Sequence, residues 1–450
     1  MTSGAAEAGS PLVIVLVAPL LGALGFLVLW YESPHHQRWR GWARAVVARL
    51  TGTADLAWLD LRLVVGTAVG AMALSAVFYW VVGGYACSPA GPSDLITLLT
   101  AGRAFLDRGD PFSIAACGTT DNPVPAGMAS VLIDAVGSLG GAPGEILVWE
   151  AVALGTLPLF WHLAGKDRLS ISLFVLVSPL FLPVVVTLDG ASLSLVPLGV
   201  LLTVYVAHRR GWIRGAALGG LLATGRFPAL FPTVGATGRA DRRGWVAGLT
   251  AIGAFAAVTL ATVAVYGREF TGPVFFLQFQ RVTALNYWGV LEAKGWLEPS
   301  NLVTGVQAGL TIVLIAVCWR WARTEIGAAS VILTGTVLLA QFLSFNELVF
   351  LLPIALVGVR ARWWLWSVGV VGWLTSAFSL LTGTAYQDAF YGLCFVLTGL
   401  LAGLMVELLR SELGSRPAAA QGGGLGLAPA RSRSNAAERA EPSAGPTTLE

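Results

Sequence analysis

The chain has 450 residues, of which 56% are hydrophobic and only 12% charged, with a mean hydropathy of +0.73. Soluble domains carry about 25% charged residues, so a soluble enzyme and a nucleic-acid partner are both excluded and an all-α polytopic membrane protein is expected. The net charge of +3 decides little by itself; its distribution along the chain decides more.

Residues 1–30 hold a first apolar run, Pro11 to Trp30, with no basic region before it, which reads as a retained transmembrane helix rather than a cleaved leader. A basic arm over 31–62 follows. Apolar segments long enough to cross run over 12–30, 63–83, 146–163, 169–187, 191–208, 244–266, 301–320, 327–344, 363–381 and 388–410. Three shorter pieces stand apart. Segment 125–141 is Gly-rich and holds Asp134, segment 213–236 is broken by Gly225-Arg226-Phe227-Pro228, and 347–359 is barely long enough to span. Together these give a bundle of about 11–14 spanning or partial helices over 63–410. Its two large loops cover 84–124 and 267–300. From 411 to 450 the composition shifts to Ala, Gly, Pro, Ser and Arg, which reads as a disordered tail.

The positive-inside rule orients this pattern. With the N-terminus outside, 125–141 re-entrant and 213–236 a hairpin of two half-helices, 22 of the 28 Lys and Arg fall on the cytoplasmic side. Only Arg103, Arg108, Arg226, Arg268, Arg281 and Lys294 fall outside. The same topology brings Asp94, Asp189, Arg226, the 267–300 loop and the Asn346-Glu347 pair to the outer face, where several polar breaks favour one water-accessible cavity. A full crossing by 125–141 would invert everything downstream.

Four cysteines divide into two kinds. Cys318 and Cys394 sit in apolar segments as small buried side chains. Cys87 and Cys117 bracket the Asp94 segment, and on an oxidising face a disulfide between them would close a loop of about 30 residues, worth about 3 kcal/mol. No cysteine or histidine spacing of the metal-binding kind is present.

The Asp94 segment places Leu95, Leu98, Leu99, Gly102, Phe105 and Leu106 on one helical face and Thr97, Thr100, Arg103 and Asp107 on much of the other, as in a helix lying in the membrane interface. Asp94 then either caps that helix or acts as a general base on an acceptor hydroxyl. Asp189 stands at a turn before Gly190 and Ser192, where capping the next helix is the plainer reading. Arg226 needs an anion: a phosphate, which guanidinium grips through paired hydrogen bonds, or a carboxylate such as Asp189 or Asp94. The 267–300 loop carries Arg281, Asn286, Tyr287 and Trp288. Its aromatics fit either interfacial anchoring or a groove for a glycan.

The order of these features resembles the polyprenyl-phosphate-sugar-dependent glycosyltransferases of the GT-C type, nearest the actinobacterial mannosyltransferase and arabinofuranosyltransferase group. That family shows an acidic residue and an A-A-R-A-L-L run ending in D-P-Y in its first outer loop. Asp94, Ala101, Gly102, Arg103, Ala104, Phe105, Leu106, Asp110, Pro111 and Phe112 match or nearly match it. Its Y-P-P appears as Asn122-Pro123-Val124-Pro125, its G-Q-x-N is replaced by Asp189-Gly190-Ala191-Ser192, and its K-P-x-P survives as Arg226-Phe227-Pro228. Its N-Q-S element is at best Asn286-Tyr287-Trp288. The similarity runs over roughly 63–360, and the first helix and basic arm depart from the family's usual start.

The resemblance implies a GT-C-like bundle in the plasma membrane. Its activity would move mannose or arabinofuranose from a polyprenyl-phosphate donor to a glycolipid or glycan acceptor of the envelope, on the extracytoplasmic face and with inversion. Asp94 would be the base. Arg226, Asp189, Arg103, Asp110, Arg281, Asn286, Trp288, Asn346 and Glu347 would line the substrates among membrane lipids. A general acid is not obligatory, since the lipid phosphate is a good leaving group; the resemblance fixes no cofactor and leaves room for a divalent metal that assists the phosphate charge. Two other readings stay open: a lipid or glycolipid transporter or flippase using Asp94, Asp189 and Arg226 as a polar path, and a non-catalytic protein on the same fold.

The charge asymmetry makes a direct prediction. In a background with Cys87 and Cys117 replaced by serine, Thr120→Cys and Leu425→Cys should react with a membrane-impermeant thiol reagent from opposite sides. Labelling from the same side would overturn this topology.

Overall fold

A computed structural model of the chain describes residues 11–32, 45, 62, 64–66, 68–73, 94–107, 113–116, 119–123, 127–186, 188–267, 285–297, 301–340, 343–382 and 387–413. The chain opens with α1 (Pro11–Glu32), which packs on the later helices Arg168–Val177 and Val359–Thr382. Trp366 Nε1 donates to the Gly22 carbonyl at 2.9 Å, fixing α1 to the second of these. Next comes α2 (Asp94–Leu106), followed by a small antiparallel hairpin of β1 (Ser113–Ala116) and β2 (Thr119–Pro123) that hydrophobic periodicity does not announce. On α2 the buried side is Leu95, Leu98, Ala101 and Gly102, and Arg103 is exposed. Leu106, expected on the apolar side, is 45% exposed because it lies a turn beyond the crossing with the next helix.

That next helix, α3 (Met128–Ser138), has 11 residues. At 1.5 Å per residue it is about 16 Å long, too short for a hydrocarbon core of about 30 Å. It turns directly into α4 (Gly141–Leu154), and the two pack side by side. Glycine makes this possible: a Cβ on Gly144 would lie 2.4 Å from the Gly137 carbonyl oxygen, and one on Gly102 of α2 would lie 2.2 Å from that of Asp134.

With α5 (Thr156–Leu163), α4 completes a 23-residue apolar stretch. The single span expected over 169–187 is instead α6 (Arg168–Val177), a break at Ser178-Pro179, and the short α7 (Leu182–Val186). Pro179 and Pro183 lack the N–H that a continuous helix would use there, and Ser178 Oγ accepts from Leu180 N at 3.2 Å. Gly190 of α8 (Leu188–Leu193) sits against the Pro183 carbonyl, and α9 (Leu195–Arg210) runs on from it.

Two half-helices, α10 (Trp212–Ala223) and α11 (Leu230–Thr237), fold back on each other. A Cβ on Gly219 would lie 2.3 Å from Thr203 Oγ1 and 2.4 Å from Thr233 Cγ2. In one continuous helix positions 219 and 233 would stand about 21 Å apart, so their contact requires a reversal between them.

The bundle is completed by α12 (Arg242–Tyr266), α13 (Tyr287–Ala293), α14 (Asn301–Trp321), α15 (Glu325–Leu339), α16 (Val359–Thr382) and α17 (Gln387–Leu413). Between α15 and α16, Asn346–Leu356 forms a 3-10 helix whose residues from Leu348 to Leu356 are all buried. The segment that seemed barely able to span is therefore an interior one, packed on α6, α8, α9, α15 and α16. Among the described residues four stretches are long and apolar enough to cross a membrane: Gly141–Leu163, Gly190–Arg210, Arg242–Tyr266 and Gln387–Leu413. This is a helical, polytopic membrane protein.

One end of the bundle collects cations. Arg239 pairs with Glu325, and its Nη1 donates to the Ala322 carbonyl at 3.2 Å. Trp319 Nε1 donates to the Val234 carbonyl at 2.9 Å, and Arg323 Nη1 to that of Ser411 at 3.2 Å. Thr324 donates through both N and Oγ1 to Glu412 Oε2, each at 3.1 Å. With His208 Nε2 3.9 Å from Glu325 Oε2, these contacts gather the turns that carry Arg209, Arg210 and Arg214, Arg239, Arg242 and Arg243, and Arg320 and Arg323 with the end of α17. The tip of the α10–α11 hairpin points away from them.

The hairpin gives a stability prediction. Gly219→Val forces a branched side chain between Thr203 and Thr233 and should destabilise the protein by about 1–3 kcal/mol. Gly253→Ala on α12, which meets open space, should be neutral or slightly stabilising. Thermal unfolding of the two variants in one detergent checks the contrast.

Candidate functional site

The break between α10 and α11 positions Arg226. Pro228 cannot continue the helix hydrogen-bonding, and Gly225 fits a gap in which a Cβ would lie 2.2 Å from Leu195 Cδ2. The freed Gly225 carbonyl accepts two hydrogen bonds from the start of α3: from Gly127 N at 3.1 Å and from Ser130 Oγ at 3.0 Å. A Cβ on Gly127 would sit 1.7 Å from the Thr224 carbonyl oxygen, so the two backbones meet only because this residue is glycine. Phe227 packs its ring on Phe231 and Phe255 at 5.0 and 5.6 Å, closing the apolar side of the turn.

Arg226 itself is 4% exposed. Its Nη2 donates to Ser192 Oγ on α8. Asp134, which the sequence places in the Gly-rich segment 125–141, is a carboxyl group that acts on Arg226 electrostatically. The hairpin tip, α8 and α3 thus converge, and α2 packs on both α3 and α8.

Asp134 belongs to a buried carboxyl pair. Asp134 on α3 and Glu145 on α4 are both fully buried. Trp149 Nε1 bridges them, donating to Asp134 Oδ1 at 2.9 Å and to Glu145 Oε1 at 3.1 Å. Asp134 Oδ2 and Glu145 Oε2 have no hydrogen-bond partner among the described residues, and the two carboxyl groups, joined through the one indole N–H, act on each other electrostatically. A proton on either carboxyl group would relieve their mutual repulsion. Among the described residues no three His, Cys, Asp or Glu side chains converge as metal ligands.

The remaining predicted residues separate into groups. Asp94 starts α2 and Asp189 lies in α8, so their helices adjoin, but both side chains lie outside the described residues. Arg103 points outward from α2. Asp110, Arg281, Cys87 and Cys117 lie outside the described residues, whereas Cys318 and Cys394 are buried and unbonded. Asn286 caps α13: its Oδ1 accepts from Trp288 N at 3.2 Å, and its Nδ2 donates to the Ala340 carbonyl at 2.7 Å. Trp288 stacks on Tyr287 at 4.5 Å, and burial pushes the Tyr287 hydroxyl up to about 12, leaving it a donor at neutral pH. Glu347 accepts from Ser344 N at 2.6 Å and from Ser344 Oγ; that hydroxyl also accepts from Asn346 N at 3.2 Å. The 286–347 group is a second polar neighbourhood. It is linked to the Arg226 cluster by the packing of Asn346–Leu356 on α8.

Glu145 and Trp149 escaped the sequence reading. Their signal was present: two carboxylates in an otherwise apolar stretch, with an indole four residues after the second and so on the same helical face. Compared with protein-family models, curated proteins and solved structures, the chain finds no match in any of the three.

The bridge predicts a stability effect. Trp149→Phe keeps the ring but removes the N–H shared by both carboxyl groups, and should destabilise the protein by about 1–3 kcal/mol. Denaturant unfolding of the purified protein measures it.

Proposed function

We propose that this protein is a membrane glycosyltransferase of GT-C type that uses a polyprenyl-phosphate sugar. The observation that carries the proposal is the buried guanidinium of Arg226 at a helix reversal pointing away from the basic end. A cation kept there, beside Asp134 and Ser192, suits exchange of a protein partner for an anionic group entering from the lipid, and paired guanidinium hydrogen bonds suit a phosphate. The positive-inside bias supports an extracytoplasmic Arg226 end, the side on which the donor would present its head. α2, with Asp94 at its first turn, packs beside α8, whose Ser192 holds Arg226.

In this reaction the acceptor hydroxyl attacks the anomeric carbon of the donor as Asp94 takes its proton. The glycosyl–phosphate bond breaks, and the electron pair leaves with the lipid phosphate, whose growing charge Arg226 stabilises. Inversion at the anomeric carbon follows from a single displacement. Asp189 and the 286–347 neighbourhood would contact sugar and acceptor, mannose or arabinofuranose on one side and an envelope glycolipid or glycan on the other. A transport reading draws on one observation of its own: ionisable groups buried among the helices, Asp134 and Glu145, which pumps and transporters use as relays.

The two roles separate in a transfer assay with labelled polyprenyl-phosphate mannose or arabinose. Asp94→Asn should bind the donor almost normally and lose transfer by about 10²–10⁴-fold. Arg226→Ala should lose both donor binding and transfer. Full transfer by Asp94→Asn would move the base elsewhere, and movement of the lipid across vesicles without any transfer would favour the transporter.

A further inference from the structure

Two carboxylates held on one N–H inside an apolar bundle disfavour double ionisation, since repulsion adds to the loss of hydration. Retaining a single proton would leave the pair with one negative charge. Arg226 supplies a neighbouring positive charge: Asp134 lies one turn beyond Ser130, whose Oγ donates to the Gly225 carbonyl at 3.0 Å. Among the other charges on the packed elements, Arg103 of α2 and Asp107 just after it are exposed, and Glu150 of α4 is buried five residues beyond Glu145. The arginines of α9, α10 and α12 lie at the basic end. The side chains of Asp94 and Asp189 lie outside the described residues.

We propose that binding of a phosphodiester at Arg226 draws one proton from solvent onto the Asp134–Glu145 pair. This rests on the phosphate reading of Arg226. When the diester engages the guanidinium, the carboxylate of the pair shares that cation with a second anion, which favours its protonation. Protonation turns it into a second carboxylic acid, and the Trp149 N–H still serves the Oδ1 and Oε1 atoms. Release of the phosphate returns the proton. The pair is a positioning device that keeps the net charge of the buried cluster unchanged whether or not the anion is bound.

The test uses the full chain in detergent and farnesyl methyl phosphate, a diester with no proton to exchange near neutrality. Calorimetric titration in buffers of different ionisation enthalpy should report uptake of about one proton per diester bound, and the affinity should fall by up to about tenfold per pH unit above neutrality. The infrared difference spectrum should gain a protonated-carboxyl band on binding. The double variant D134N/E145Q should bind the diester with no linked proton and with pH-independent affinity. Binding by the parent without proton uptake or a carboxyl band would overturn the coupling alone, as would uptake unchanged in the double variant. Failure of the parent to bind the diester at any pH would overturn the phosphate reading of Arg226 and the coupling with it.

Discussion

A guanidinium inside an apolar helical bundle is the constraint around which this structure is arranged. Left alone, Arg226 would be among the most unfavourable groups in the molecule, because little water reaches it to replace lost hydration. Its surroundings answer that need piece by piece. The helix breaks before it, freeing the Gly225 carbonyl, and α3 supplies the donors for that carbonyl. α8 offers a hydroxyl to the guanidinium, and Asp134 offers charge. Three elements distant in sequence meet at this point because each satisfies something the break exposes.

Close backbone approach is the second theme. Gly102, Gly127, Gly137, Gly144 and Gly219 stand where a single methyl group would collide with a neighbour. Helices in lipid gain little from the hydrophobic effect between one another, so contact distance and buried hydrogen bonds matter more than apolar area. The short helices α2, α3 and α8 can build a polar cluster because glycine lets their backbones touch, bringing Asp134, Glu145 and Ser192 within reach of the hairpin tip.

Much of the architecture was legible in the sequence. The long apolar helices, the amphipathic face of α2 and the half-helix hairpin at Gly225-Arg226-Phe227-Pro228 all follow from hydropathy, periodicity and breakers. The proline-broken course through 178–187, the interior placement of 346–356 and the strand hairpin did not. A run of apolar residues has the same appearance whether it faces lipid or protein, and only tertiary packing separates the two. The carboxyl pair was hidden for a related reason. Asp134 and Glu145 lie on different helices, and their contact depends on the tight turn at Leu139-Gly140, whose geometry no periodic pattern records. Arg226 was conspicuous because its break is local.

Glu412 lies near the end of α17, yet it binds both donors of Thr324, the residue that caps α15, and presses against Gly327 of that helix. α15 is made long before α17. During synthesis its first turn must therefore wait, with the Thr324 N–H and hydroxyl held by water or headgroups, until the chain has returned across the bundle. The helix lining the hairpin is locked from its basic end by a residue nearly ninety positions downstream, so a chain cut between α16 and α17 would leave α15 unlatched although every residue of α15 is present.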